Sequence, residues 1–374
     1  MTMPTDTPDV GRLSAPDTRD GPPTVSVVLP IRNEAAHIEA VLARLLEQDY
    51  PRHLVIEILV VDGRSEDGTR DAISRFRRRH PGAGIRVLDN PRRITSAALN
   101  IGISAARGDV VVRMDGHAIP ATDYVSRCID ALQRTGASNV GGVVEPVGRT
   151  AFGAAVALVT RHPLGAGDAR YRVGGSPGEV DTVMYGAFRR EVFEHVGLFD
   201  ESMIVNEDYE LNVRIRAAGY RIHFDPSIRF RYTPRGTAAD LWRQYFRYGW
   251  WKVETLRRMP QSLRWRQALP PALPALLIGL VLASPWSATA AIVLAAVVSG
   301  YATVIGVVAW LVAKPPASLS SVWLAFAIIH MAWGIGFLLS VVTRGRFPYR
   351  AESPRVPALS DAAPETLTEP GAPR

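Results

Sequence analysis

The chain has 374 residues, 47% of them hydrophobic, a formal net charge of +7 and one cysteine, Cys128. A single cysteine excludes an internal disulfide framework and a cysteine-based zinc site. The positive balance would suit nucleic acid or an anionic membrane surface. No zinc-finger, homeodomain or RNA-binding motif accompanies it and long apolar runs do, so a membrane is the expected partner and nucleic acid is not.

Residues 1–23 are rich in Pro, Asp, Thr and Gly and lack an apolar core, which predicts a disordered tail and no secretory signal. Val25 to Leu29 is a β-branched run ending at Pro30 and reads as a buried strand. Asn33 is expected to cap a helix whose Ile38, Val41, Leu42 and Leu45 share one face. A second strand, Ile56 to Val61, runs into the loop Asp62 to Thr69, and a basic helix follows. Its end, Arg77-Arg78-Arg79-His80, is expected to be solvated. A third strand spans Ile85 to Leu88, Thr95 to Arg107 is helical, and Asp109 to Met114 is a fourth strand ending at Asp115. Alternating strands and helices predict a mostly parallel α/β sheet with helices on both faces. Ligands bind such sheets beyond the carboxyl ends of their strands, where Pro30, Asp62 and Asp115 fall.

Gly136 to Glu179 is looser and Gly-rich, expected as a strand plus loops on an acceptor-facing side. Order returns at Tyr185 to Arg190, then at Val192 to Val196, in a helix from Asp208 to Ala218 closed by Gly219, and in a short strand from Arg221 to Phe224. From Leu241 to Arg266, Trp242, Tyr245, Phe246, Tyr248, Trp250, Trp251 and Trp265 are interleaved with Arg and Lys, as in interfacial helices at headgroup depth. Ala268 to Ala313 carries no charge and is interrupted at Ser284-Pro285, and Ser321 to Thr343 is a further apolar run. Spans of about 20 residues cross a bilayer, so two or three passes are expected. Arg257, Arg258, Arg264 and Arg266 place the preceding domain in the cytoplasm of a multi-pass plasma-membrane protein. The expected division is a catalytic domain over 24–240, interfacial helices over 241–267, a membrane segment over 268–343 and a polar tail over 344–374.

Three short motifs carry chemistry. Asp115-Gly116-His117 offers a carboxylate and an imidazole across a glycine, a donor set for Mg²⁺ or Mn²⁺ together with phosphate oxygens. Asn206-Glu207-Asp208 starts a helix and offers a carboxylate as general base. Asp62 is placed to bond a base or ribose. Each alone equally fits a turn or a helix cap. No Gly-x-Gly-x-x-Gly follows the first strand, which excludes a dinucleotide-binding dehydrogenase.

As an ordered set from about Thr24 to Trp251, the motifs resemble the family 2 glycosyltransferases, which have a GT-A fold. Pro30-Ile31-Arg32-Asn33-Glu34 is similar to the family's Pro-x-x-Asn-Glu opening, and Asp62 to Thr69 to its Asp-Asp-Gly-Ser-x-Asp-Gly-Thr loop. Asp115-Gly116-His117 stands at its Asp-x-Asp metal motif, Glu207-Asp208 at its Glu-Asp pair, and Gln244-Tyr245-Phe246-Arg247-Tyr248 at its Gln-x-x-Arg-Trp element. The details are closest to glucosyltransferases of succinoglycan-type exopolysaccharide assembly, which extend a lipid-diphosphate-linked sugar. The resemblance implies inverting transfer with Asp208 as base beside Glu207, and Asp115 with His117 at a Mg²⁺ or Mn²⁺ ion. It implies Pro30, Arg32, Glu34, Asp62 and Asp115 on the donor side, with a UDP-sugar favoured. Gln244, Arg247 and Tyr248 fall on the acceptor and diphosphate side. Tyr185 to Arg190 matches an acceptor-side Gly-Ala-Phe-Arg pattern, with Phe188 read as core and Arg189 and Arg190 facing either a lipid phosphate or, by slight preference, solvent. Gly63 and His117 replace family aspartates, and Tyr248 replaces the tryptophan of polymerising synthases, which favours single additions. A polyprenyl-phosphate sugar synthase is the alternative; a processive synthase or an inactive scaffold ranks lower.

Overall fold

The computed structural model describes residues 21–262 and 269–343. The expected tails up to residue 20 and from 344 onward, and Arg264, Trp265 and Arg266, lie outside the described residues.

The first half repeats a strand–helix unit: β1 (Val25–Ile31), α1 (Ile38–Leu46), β2 (Val55–Asp62), α2 (Thr69–Arg79), β3 (Ile85–Asp89), α3 (Thr95–Ala105) and β4 (Val110–Arg113). Its strands are parallel in the order β3-β2-β1-β4. A strand covered on both faces must be apolar along its length, and every residue of β1 is buried. Val25, Val27, Leu29 and Ile31 pack with Ile38, Val41 and Leu42 of α1, while Val28 turns to Leu99 of α3 on the other face. The period of two thus sends one strand into two cores.

The second half contributes β5 (Ala118–Pro120), α4 (Tyr124–Thr135), β6 (Asn139–Pro146), α5 (Ala151–Val159), α6 (Pro163–Ala166), α7 (Arg170–Val173), β7 (Gly178–Glu179), β8 (Ala187–Arg189), α8 (Glu191–Val196), α9 (Glu207–Ala217) and β9 (Ile222–Tyr232). These extend the sheet as β4-β8-β6-β9-β5, with β7 on β9, and β8 is antiparallel to both its neighbours. The fold is mixed α/β.

Three expectations change. The first helix begins at Ile38, and Asn33 sits outside it at a φ of 57°. The region read as strand and loops contains α5, whose Ala-Phe-Gly-Ala-Ala-Val-Ala-Leu-Val sequence has no polar face to reveal its period. The strand expected to stop at Phe224 continues as β9 to Tyr232 through Pro226, with a register shift on β6 absorbing the interruption.

After the sheet come α10 (Ala238–Arg258), α11 (Leu269–Ala283), α12 (Ala288–Val312) and α13 (Leu319–Val342). At about 1.5 Å per residue, α12 and α13 are long enough to cross a bilayer and α11 is not. Apolar side chains stand exposed along α12, among them Ile292 at 69% and Trp310 at 71%. By contrast α13 packs along α10, whose Leu241, Tyr245, Phe246 and Trp250 meet Val322, Phe326, Ile329 and Ala332. The seam is close: a Cβ on Gly249 would lie 1.9 Å from the Trp333 carbonyl oxygen, and one on Gly336 2.2 Å from that of Phe246. The aromatic side of α10 is therefore turned into a helix–helix contact, leaving Trp242, Arg243, Arg257 and Arg258 exposed.

Candidate active site

β1, β2 and β4 are neighbours, so the loops after them share one rim. Side chains tie these loops together. The Asn33 N–H donates to Ser65 Oγ at 2.8 Å, and its Oδ1 accepts from the Glu66 N–H at 2.9 Å. Asn33 is thus a clasp between β1 and β2 loops, which requires its positive φ rather than a helix-cap conformation. The Glu34 N–H donates to Thr69 Oγ1 at 2.8 Å.

Pro30 lies within β1 opposite Val61 and is buried. Arg32 is half-buried, and its Nε has no partner among the described residues. Asp62 is fully buried and satisfied by protein: Arg70 Nε donates at 2.5 Å and the Ser65 hydroxyl at 2.5 Å. Arg70 reaches on to Asp89 at the end of β3.

His117 is joined to Glu34 across the rim, Nδ1 to Oε1 at 2.8 Å. Burial works against charge on His117, but the hydrogen bond and charge of Glu34 prevail and raise its pKa. With Nδ1 committed, Nε2 is the nitrogen that the neutral ring would offer a cation. Between Asp115 and His117, a Cβ on Gly116 would meet Ile31 Cγ2 at 2.8 Å and Glu34 Cγ at 2.9 Å, so the loop needs glycine to seat against β1.

Arg113, the last residue of β4, organises the acidic end of the rim. Its side chain is 5% exposed. It binds Asp208 Oδ1 through Nη1, and through Nη2 meets Glu207 Oε1 at 3.3 Å and Asp115 Oδ1 at 3.4 Å. The Tyr185 ring lies 5.4 Å from the guanidinium and that of Phe199 6.0 Å. Burial alone would weaken the guanidinium charge, but Asp208, Asp115 and Glu207 together hold it. Like charges about 4 Å apart repel by roughly 4 kcal/mol at an effective dielectric near 20, so this acidic cluster needs a cation. Burial pushes the Asp208 carboxyl up to about 7; Arg113 opposes the shift and Glu207 and Asp115 add to it.

Asp208 and Glu207 open α9 after Asn206, which has a φ of 66° and gives no side-chain cap to the helix. Asn206 Nδ2 instead donates to Thr255 Oγ1 of α10 at 3.2 Å. Acidic side chains at a helix start are favoured by the backbone dipole, and here Arg113 also restrains them.

The expected acceptor residues stand on α10. Gln244 Nε2 donates to the Tyr248 hydroxyl at 3.0 Å, and the Tyr248 and Tyr245 rings are 5.5 Å apart. Arg247 is half-buried and its pKa is lowered by burial, against the charge of Tyr248 and with that of Arg235. Arg235 also acts on His117, linking this group to the rim. Arg172 lies 5.5 Å over the Tyr171 ring and faces Tyr245, Tyr232 and Tyr248. Among the described residues neither Arg172 nor Arg247 pairs with a carboxylate.

Arg113, Arg172 and Arg235 were not legible as site residues. Only Arg113 left a trace, a charge closing the otherwise apolar run Val110-Val111-Val112. Arg189 and Arg190 do not merely face solvent. Arg189 donates to the carbonyls of Ala137 at 3.1 Å and Leu132 at 2.9 Å, and Arg190 to that of Gly108 at 3.0 Å. Phe188 is buried in the core. His162 accepts from the Leu164 N–H at the start of α6, and His195 contacts the Glu191 carbonyl, so both are structural.

Among the described residues no three His, Cys, Asp or Glu side chains close a metal shell of their own. The rim nonetheless fits a divalent cation that brings its own phosphate oxygens. Asp115 supplies a hard oxygen, and three carboxylates against one guanidinium leave two negative charges when all are ionised.

A parallel half-sheet extended by a mixed set of strands, with an acidic rim at its carboxyl edge, is the architecture of GT-A glycosyltransferases. The chain belongs to glycosyl transferase family 2, whose model matches residues 26–197. It is 33% identical over 318 residues to the succinoglycan biosynthesis protein ExoA of Rhizobium meliloti (strain 1021), covering 83% of this chain and 93% of that one. It is 27% identical over 248 residues to the dolichyl N-acetyl-alpha-D-glucosaminyl phosphate 3-beta-D-2,3-diacetamido-2,3-dideoxy-beta-D-glucuronosyltransferase of Methanococcus voltae, covering 64% and 76%. The mannosyltransferase PcManGT from Pyrobaculum calidifontis, solved with GDP-Man and Mn²⁺, superposes with a TM-score of 0.59 at 24% identity, covering 85% of this chain and 88% of that one. The likeness shows the same GT-A fold. The protein is a glycosyltransferase, and its α12 and α13 are long and apolar enough to cross a membrane.

Proposed function

We propose that the protein is an inverting transferase that moves a hexose from a nucleotide-diphosphate sugar, UDP-linked by preference, to a lipid-linked saccharide in extracellular polysaccharide or envelope glycan assembly. The carrying observation is the gathering of Asp115, Glu207 and Asp208 onto the single guanidinium of Arg113. The Rhizobium relative named for succinoglycan biosynthesis supports the pathway class, and the Methanococcus relative, named for a dolichyl sugar phosphate, supports a lipid-linked acceptor.

In this reading the loop from Asp62 to Thr69, Arg32 and Glu34 hold the nucleotide. Asp208 takes the proton of the acceptor hydroxyl as its oxygen attacks the anomeric carbon. The bond from that carbon to the diphosphate breaks, the nucleoside diphosphate leaves with the electron pair, and configuration inverts. Glu207 adjoins the base and keeps its carboxyl environment acidic. A Mg²⁺ or Mn²⁺ ion held by Asp115, with His117 Nε2 as a further donor, would neutralise the leaving diphosphate. Gln244, Arg247 and Tyr248 face the acceptor and its phosphate. The exposed Arg257 and Arg258, close before the apolar helices, support a cytoplasmic catalytic domain on a multi-pass plasma-membrane protein.

Membranes containing the protein, incubated separately with UDP-glucose, UDP-galactose, UDP-N-acetylglucosamine and GDP-mannose, test this reading. Mass spectrometry of the extracted lipids is expected to show one hexose added to a lipid-linked saccharide with a UDP-sugar. A hexose attached directly to a lipid phosphate would establish the polyprenyl-phosphate synthase instead.

A further inference from the structure

The reaction assigned above needs two things from different parts of the chain: the end of β4 brings Asp115, and the start of α9 brings Asp208. No backbone hydrogen bond of the sheet joins these elements, and the first turn of α9 lacks a side-chain cap. Among the described residues, one side chain bridges them. Arg113 contacts both carboxylates of that turn and, two residues along its own strand, Asp115. The bridge is enclosed. Its side chain is 5% exposed, and its guanidinium lies 5.4 Å from the Tyr185 ring and 6.0 Å from that of Phe199. Phe199 is fixed in turn, because its backbone N–H donates to Asn100 Oδ1 at 2.9 Å and its carbonyl accepts from Asn100 Nδ2 at 2.9 Å.

We propose that Arg113 is a positioning residue for the transfer step, whose planar fork sets the distance and direction of the Asp208 carboxylate relative to Asp115, and hence relative to the anomeric carbon of a bound donor. The guanidinium itself keeps its charge at every pH at which the protein folds. A lysine at this position keeps the charge but not the fork: an ammonium on a flexible stem cannot hold two carboxylates in one plane while contacting a third. Misplacement of a base by about 1 Å costs on the order of 100-fold in rate. Arg113 makes no contact with the donor-side residues Asp62, Glu34 or Arg32 and reaches Asp115 only at 3.4 Å, a looser contact than the one to Asp208, so the effect falls mainly on turnover.

This inference rests on Asp208 being the base, and the experiment separates the two claims. The full-length protein in detergent is compared with Arg113→Lys, Arg113→Met, Asp208→Asn and the Arg113→Lys/Asp208→Asn double variant. Turnover is read with the nucleotide sugar selected by the lipid-product panel, and binding with UDP and Mn²⁺ by calorimetry. Arg113→Lys is expected to lower kcat by about 100-fold, with donor KM and UDP–Mn²⁺ affinity within about threefold of wild type. In the Asp208→Asn background the same change is expected to cost nothing further, since the residue it positions is gone. A kcat for Arg113→Lys within threefold of wild type would overturn the proposal. So would retained kcat with UDP–Mn²⁺ binding lost, which would put the guanidinium on the diphosphate. An undiminished penalty in the double variant would also overturn it, by showing that Arg113 acts through another group. Full activity of Asp208→Asn alone would sink the base assignment, whatever Arg113 does. Should Arg113→Met fail to fold, Phe199→Leu provides a milder test. It removes the aromatic shelf but leaves the fork, and is expected to lower kcat without moving KM; an unchanged kcat counts against the proposal.

Discussion

The two acidic corners of the rim are built on opposite principles. At the β2 corner Asp62 is enclosed and matched by Arg70 and Ser65, and Arg70 is matched again by Asp89. At the β4 corner Asp115, Glu207 and Asp208 share Arg113, and an excess of negative charge remains. The first corner is complete as it stands and serves as a fixed wall. The second is short of positive charge, which is the condition for taking up a cation and for a carboxylate to accept a proton near neutral pH. In the proposed reading, binding and chemistry are thus divided between the corners after β2 and β4, the two strands that flank β1.

Substitutions that exploit this division should give different kinetic signatures. The largest effect is expected at the β4 corner: Asp208→Asn should lower kcat by about 10³-fold, within the range for loss of a general base, while UDP–Mn²⁺ binding measured by calorimetry stays within a few-fold. Asp115→Ala comes next. It should weaken Mn²⁺-dependent UDP binding by about 10- to 100-fold and flatten the dependence of activity on Mn²⁺ concentration. The pH profile is a third discriminator. The group that must be deprotonated is raised to about 7 in the unliganded protein, so kcat/KM should fall about tenfold per pH unit below that value. An acid limb near pH 4, the ordinary carboxyl range, would mean that Asp208 is not the limiting base. The smallest effect is expected at the matched corner. Arg70→Met strands the buried Asp62 carboxylate, and should raise donor KM by about tenfold with kcat little changed. A large kcat effect there would dissolve the division between the corners.

How much of this was legible beforehand follows from the range of each interaction. The strands β1, β2 and β4 announce themselves through apolar runs, and the motifs at their ends through local spacing. Asn33 was misread because Asn before a helix is locally a cap, whereas its real partners Ser65 and Glu66 lie more than thirty residues onward. Arg113 was missed for the same reason: its partner Asp208 is 95 positions away. Arg172 and Arg235 gain their meaning largely from residues distant in the chain, among them tyrosines on β9 and α10. The helix α5 was hidden by its own composition, since a stretch of small apolar residues shows neither helical nor strand periodicity.

The glycine-lined contact between α10 and α13 has a practical consequence for anyone wishing to handle the catalytic part alone. A fragment ending after the sheet would discard Gln244, Arg247 and Tyr248 together with the helix that bears them. One ending after α10 would keep them but leave Leu241, Tyr245, Phe246 and Trp250 bare to water, a contiguous greasy strip prone to clumping. Shortened versions of this enzyme should therefore be judged by their oligomeric state before their turnover is compared with that of the intact chain.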